Sequence, residues 1–340
     1  MRPDDLRTLG RTGIELTLLG FGGATIGNLG RAYTDAEARE TLEAAWRAGV
    51  RYLDTAPLYG VSLSERRIGE FLATRPAGEA VVSTKVGRLL DPVAPGQAPH
   101  PAFVDVPPLV PRFDYSRDGI LRSFDESLGR LGLERIDILF LHDLAPMNQG
   151  GDAAYEAQFR ILFERGGHDA MVELRAAGRV RAIGLGLGDW RAAERLIAEG
   201  DFDACLLAGR YTLLEQTALE SFLPLCQRRG VGVVIGGPYN SGILATGAVA
   251  GARYNYRPAP AEILERVKRI EAVCRSYATP LIAAALQFPL HHPSVASTIP
   301  GMATPSEIAA AVETLSRPVP RALYEDLKSK GLIAAEAPIG

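Results

Sequence analysis

The sequence predicts an α/β protein folded as a closed (β/α)8 TIM barrel with an N-terminal β-hairpin. Three observations carry this. Short apolar, β-rich runs alternate with amphipathic stretches of helical spacing. Eight such pairs can be traced, and no break in composition divides the 340 residues, so 1–340 reads as one barrel domain. An open doubly wound sheet would more often hold about five to seven strands.

Each element has its own warrant. The hairpin turns around Gly10 to Gly13. Strands are expected at 18–22, 51–55, 81–86, 136–141, 182–187, 204–208, 231–236 and 295–299. Helices are expected at 34–48, 64–74, 116–131, 168–177, 189–199, 217–229, 260–277 and 305–316. Gly49, Gly178 and Gly230 act as stops for three of them. Two segments are too long for plain connections, the Pro-rich 87–115 and 143–167. In a barrel both would overhang the C-terminal ends of the strands, where active sites form.

With 47% hydrophobic and 23% charged residues the chain has the makings of a sizeable core, and a net charge of -3 gives no reason to expect a nucleic-acid partner. The opening MRPDDLRTLGRTG has no apolar stretch after its charges, so it is not a signal peptide, and no later window reads as a membrane span. Cys205, Cys226 and Cys274 form no C-x-x-C pair, which argues against a disulfide framework or a zinc site. A cytoplasmic, small-molecule role fits best, with oligomeric state open and no metal implied. Lysine occurs only at 85, 268, 328 and 330. Lys85 therefore stands alone in an arginine-rich chain.

Polar residues gather at consecutive strand ends: Asp54 and Tyr59 in RYLDTAPLYG, Lys85 in VVSTKVG, His142 in DILFLHD. Singly, each has an ordinary explanation as a turn residue, packing, a snorkelling lysine or a core histidine. Together they converge on one pocket of a barrel. They also imply a mechanism. A phenol has a pKa near ~10, and lowering it by roughly three pH units takes about 4 kcal/mol of differential interaction. Lys85 could supply this to Tyr59, with Asp54 holding the ammonium and His142 orienting the reacting oxygen.

At these residues the chain resembles the aldo-keto reductase family, through DTAPLYG, STKVG and FLHD. The resemblance implies hydride transfer with a nicotinamide dinucleotide, Tyr59 as general acid/base, Asp54 and Lys85 tuning it, and His142 positioning substrate. It also places Gly22, Gly23 and Ala24 on the floor of the cofactor site and Tyr211 against the nicotinamide. The loop of Gly237, Pro238, Tyr239, Asn240, Ser241 and Gly242 would cover the pyrophosphate. Departures are visible. The family's Ser-Asn pair and Gln for the carboxamide are replaced by GLGLGDW (184–190) and LLAGRY (206–211), leaving Gly188, Asp189 or backbone groups to substitute.

The turn after the eighth strand, STIPGMATPSEI, is the most informative departure. NADPH-using relatives place Lys, Ser or Thr, and Arg there; here stand Gly301, Met302 and Glu307. A carboxylate repels a 2′-phosphate but accepts a hydrogen bond from a ribose hydroxyl. NAD is therefore expected over NADP, unless Glu307 merely favours its helix N-terminus. A narrower similarity, to L-fucose or D-threo-aldose 1-dehydrogenases and pyridoxal 4-dehydrogenases, runs through KVGRLL, LLAGRYTLLEQ and RYNYRPAP. It implies oxidation to a lactone. Phe21, Trp190 and Arg210, with Phe113 and Tyr115, are candidates to line the substrate pocket, Arg210 being equally a candidate ion-pair partner. The alternatives are an NADPH-dependent aldehyde reductase and, in another class, a non-catalytic nucleotide-sensing subunit.

Overall fold

A computed structural model describes residues 1–94 and 100–340. Eight parallel strands follow one another round a sheet: β1 (Phe21–Gly22), β2 (Tyr52–Asp54), β3 (Val81–Val86), β4 (Ile136–His142), β5 (Val180–Leu187), β6 (Ala204–Ala208), β7 (Gly232–Gly236) and β8 (Val295–Ile299). Parallel bridges Leu19↔Thr298 and Gly22↔Gly301 bring the last strand back to the first. The barrel thus closes, as expected.

The helices of the β/α units are α1 (Asp35–Arg47), α2 (Leu63–Leu72), α3 (Arg117–Leu131), α4 (Gly167–Ala176), α5 (Trp190–Glu199), α6 (Phe222–Arg229), α7 (Ala261–Ser276) and α8 (Pro305–Ser316). Local sequence sets their ends. Thr34 and Glu37 form a capping box at α1, and Gly132 and Gly230 stop α3 and α6 in the left-handed conformation.

Alternation along each strand sorts side chains into two cores. Tyr52, Ile138, Phe140, Leu206, Val234 and Ile299 fill the barrel, together with Leu9, Ile14 and Leu16. Those last three come from or beside the hairpin Leu6–Thr8/Glu15–Thr17. Leu9 packs against the start of β7, so the hairpin plugs the N-terminal end. The other core lies between strands and helices. The fully buried Cys205, Cys226 and Cys274 are free thiols. Among the described residues no helix is long and apolar enough to cross a membrane.

The structure corrects the connections. Segment 143–167, read as a loop, contains the helix Asp152–Glu164, and segment 87–115 contains an antiparallel pair, Arg88–Pro92 with Leu109–Phe113. Residues 95–99 of the latter lie outside the described residues. A short hairpin, Arg253–Tyr254 with Arg257–Pro258, and helices Leu281–Gln287 and Arg321–Ser329 were also unforeseen.

Candidate active site

The pleat of the barrel aims three of the predicted residues at one point. On β2, Tyr52 and Asp54 face inward while Leu53 joins the helix-facing core. Opposite, Ser83 and Lys85 face inward from β3. Lys85 Nζ donates to both Asp54 carboxylate oxygens at 2.9 and 2.8 Å and to the Thr55 carbonyl at 2.8 Å. Ser83 donates to Asp54 at 2.7 Å and lies 3.0 Å from the Tyr52 hydroxyl. Gly186 on β5 makes room, because a Cβ there would press on Lys85 Cε at 3.3 Å. His142 ends β4, its ring edge-on to Tyr59 with centroids 6.1 Å apart, and Lys85 Nζ sits 4.7 Å from the Tyr59 ring centre. The four predicted residues are together.

Tyr59 owes its place to a tight turn. Its N–H donates to the Ala56 carbonyl and its carbonyl accepts from Ser64. Val61 and Ser62 follow with φ of 41° and 94°, a left-handed pair that β-branched and bulky residues avoid and that functional sites tolerate. Gly27 presses on this turn so closely that a Cβ would stand 2.7 Å from the Tyr59 carbonyl carbon.

The electrostatics differ from the expectation. Burial, reinforced by the negative charges of Asp54 and Asp143, pushes the Tyr59 phenol well above its ordinary value. Lys85 does not reverse this because its ammonium is neutralised by Asp54 at close range. Tyr59 is thus held protonated. Burial, together with the Arg88 and Lys85 charges, holds the His142 imidazole well below the usual histidine value and therefore neutral, and its buried Nδ1 has no partner.

Supporting residues surround His142, and of these the sequence did not reveal Asp143, Arg88 and Gln149. Asp143, at φ 55°, receives Arg88 Nη2 at 2.6 Å and lies 3.5 Å from His142 Nε2. Arg88 rests on the Phe113 ring. Tyr115 donates to the His142 carbonyl at 2.7 Å and receives Gln149. The fully buried Tyr115 therefore braces β4 and lies behind the pocket.

A second feature runs around the other half of the rim. Gly22, Gly188, Gly209, Gly237 and Gly301 stand at or just past the ends of β1, β5, β6, β7 and β8, and lay bare backbone along the mouth. Gly23 donates to the Asp54 carbonyl and accepts from Ser64, tying this floor to the quartet. Ala24 continues it into the 3-10 turn Thr25–Gly27. In the loop after β7, Asn240 accepts from Thr212 at 2.6 Å and donates to the Gly209 carbonyl at 3.0 Å, while Asn240 and Ser241 both hold positive φ.

The model of the aldo/keto reductase family matches residues 18–331. The chain belongs to this family. It is 40% identical to the pyridoxal 4-dehydrogenase of Microbacterium luteolum, covering 98% of this chain and 99% of that protein. It is 42% identical to a D-threo-aldose 1-dehydrogenase of a Pseudomonas species, covering 94% and 96%. Among solved structures, an aldo-keto reductase of Bacillus halodurans in its holo form superposes with a TM-score of 0.76 at 24% identity over 98% of this chain and 97% of that one. That likeness shows the fold. As an aldo-keto reductase the protein is an oxidoreductase that acts on CH-OH groups of small molecules and uses a nicotinamide cofactor. The glycine-lined rim fits such a cofactor because it offers backbone groups without side chains, while at Gly22 and Gly301 it is the neighbouring chain, at Pro300, Ile299 and Thr25, that leaves no room for a Cβ. Backbone alone can line that groove.

Several predicted contacts are not brought to the mouth. Tyr211 is fully buried against Phe288 and His292, with no ring face left for a nicotinamide. Phe21 points away from the barrel interior into the helix-facing core, because its neighbour Gly20 takes the inward position beside Tyr52 and Ile299. The buried Trp190 opens α5, and its indole N–H is committed to Thr217 at 3.1 Å. Arg210 joins the Gly188 carbonyl at 3.1 Å to Asn255 at 2.9 Å, the protein contacts expected of an ion-pair or hydrogen-bonding partner. Met302 is buried, so only its backbone can face a ligand. Pro238 is buried and Tyr239 partly so, whereas Gly237 and Ser241 are exposed and Gly242 is half-buried. Glu307 is exposed, and its carboxylate accepts from Ala303 N–H at 2.6 Å while Thr304 caps the same turn.

Proposed function

We propose that the protein oxidises the C1 lactol carbon of an aldose of the L-fucose or D-threo type to the lactone, using NAD in preference to NADP. The whole chain, 1–340, would act as one catalytic unit. The observation that carries the chemistry is the convergence of Asp54, Lys85, Tyr59 and neutral His142 beside a backbone-lined groove. The 42% identity to an aldose 1-dehydrogenase supports the substrate class. A bound nicotinamide supplies the hydride acceptor and one positive charge. The chain supplies the proton handling. His142, as a neutral imidazole, donates a hydrogen bond to the substrate hydroxyl oxygen and orients it. Tyr59 first releases its phenolic proton to bulk water and, as phenolate, takes the hydroxyl proton as the hydride leaves for the nicotinamide. Lys85 and Asp54 stay a fixed ion pair beneath the phenol, and Ser83 and Thr55 keep that pair in register.

The cofactor preference rests on the turn after β8. Residues 300–307 hold no cation for a 2′-phosphate, and the exposed Glu307 carboxylate stands at the rim. Its engagement with Ala303 N–H leaves acceptor capacity for a ribose hydroxyl. A second reading, oxidation of pyridoxal to its cyclic ester, is favoured by the 40% identity to a pyridoxal 4-dehydrogenase across 98% of the chain. Both substrates present an oxidisable ring carbon. The deciding experiment follows the absorbance of the reduced cofactor with NAD or NADP and L-fucose, D-arabinose, L-galactose or pyridoxal. Turnover of the sugars with NAD is expected. Activity with pyridoxal alone would move the assignment to the second reading, and NADP preference would overturn the argument from Glu307.

A further inference from the structure

The hairpin Arg253–Tyr254/Arg257–Pro258 turns on two residues, Asn255 and Tyr256, with φ of 49° and 61°. Two consecutive positive φ values mark a tight hairpin turn in which Asn followed by Gly is the favoured pair. Asn255 suits its position. Tyr256 does not, since a bulky side chain is strained there. The residue is also 79% exposed, the highest value among the described large hydrophobic residues left open to solvent. Neither the turn nor the core explains a tyrosine at this point.

Its location does. Arg210 ties Asn255 to the Gly188 carbonyl at the end of β5, and the Tyr256 N–H donates to Ser241 in the loop after β7. Both anchors belong to the rim of the site. The tip of the hairpin therefore hangs over the mouth, opposite the quartet.

We propose that Tyr256 is a specificity-determining residue: the hairpin holds its ring over the mouth so that a ring-shaped substrate, sugar or pyridine, is covered by it on the face turned away from the cofactor groove. This rests on the proposed function for the identity of the substrate, and on the hairpin geometry for the contact itself. An aromatic face matches both candidate rings and offers an acyclic substrate far less. Substrate would bury the ring that the free protein leaves in water, which accounts for keeping tyrosine where glycine fits the turn better.

The test compares the wild type with Tyr256→Gly and Tyr256→Phe. Glycine suits the turn, so the fold is kept and Tm should stay level or rise. The readout is kcat/KM for a ring substrate, L-fucose or pyridoxal, divided by kcat/KM for methylglyoxal in the reducing direction. We expect Tyr256→Gly to lower this ratio by about tenfold, the size of one aromatic contact, with KM for NAD unchanged and with Tyr256→Phe keeping most of the ratio. An unchanged ratio would overturn the proposal, as would an equal loss on both substrates. If the wild type oxidises neither L-fucose nor pyridoxal, the proposed function fails. The ratio for benzaldehyde over propanal then decides Tyr256 in the same way.

Discussion

At the scale of single residues, the site holds two groups firmly in their neutral forms. Tyr59 keeps its proton because burial and the nearby carboxylates disfavour phenolate, and His142 stays neutral because burial and two cations disfavour imidazolium. Oxidation needs Tyr59 as a base, so its rate should climb steadily from about pH 7 upward, whereas reduction needs the acid and should be flat over that range. Tyr59→Phe should lower kcat in both directions by about 10²- to 10⁴-fold, with KM little changed. Steady-state rates across pH check this, and an oxidation rate that ignores pH would contradict it. The quartet was legible in the sequence because the alternation of a strand fixes which residues face inward, and strand ends are marked by where the apolar run stops. Tyr211 and Phe21 were misplaced for the converse reason. A motif position says nothing about whether a ring turns into the mouth or into the helix layer, and that is settled by Phe288, His292 and Gly20, which are remote or unassuming in sequence. Arg88 and Asp143 gave no sequence cue, since arginine is common in this chain and Asp143 looks like any strand-end turn residue.

At the scale of elements, catalysis depends on how firmly the turn between β2 and α2 is held. Gly27 and Gly60 lie backbone to backbone, a Cβ on either coming within 3 Å of the other's chain. Gly27→Ala must push the Tyr59 turn outward. A displacement of about 1 Å should cost roughly 10²-fold in kcat, more than the accompanying drop of a few degrees in Tm implies about folding. Kinetics and thermal melts on that variant separate the two, and an unchanged kcat would show that the turn has slack. The eight β/α pairs were readable because each strand is an unbroken apolar run and several helices end on glycine. The additions were not. Helix Asp152–Glu164 buries only Tyr155, Phe159 and Leu162, too thin a stripe to stand out, and Leu281–Gln287 buries nearly every side, so its apolar residues show no period.

For the whole molecule, closure places a plugged, apolar N-terminal end opposite a polar C-terminal mouth, and the site inherits its dryness from that arrangement. The same burial makes the fold sensitive to acid. His291 and His292 are held down to about 4, and His142 is also lowered, chiefly by burial. In the unfolded chain each binds a proton near pH ~6.5. Stability present above that pH is therefore lost as the pH falls toward 4, because the unfolded chain binds protons the folded one refuses. Tm should drop by several degrees between about pH 7 and pH 4.5, and less in a His292→Gln variant. Calorimetry that finds Tm flat across this range would contradict the burial of these imidazoles.

The central claim is that a ring carbon bearing a hydroxyl gives its hydrogen directly to NAD while Tyr59 takes the proton. It is tested most directly with L-fucose carrying deuterium at C1, incubated with the protein and NAD and followed by NMR. The account predicts deuterium on the nicotinamide ring, a lactone lacking it, and both products formed about 10²- to 10⁴-fold more slowly by Tyr59→Phe. Deuterium appearing in solvent, or a product other than the lactone, would contradict it.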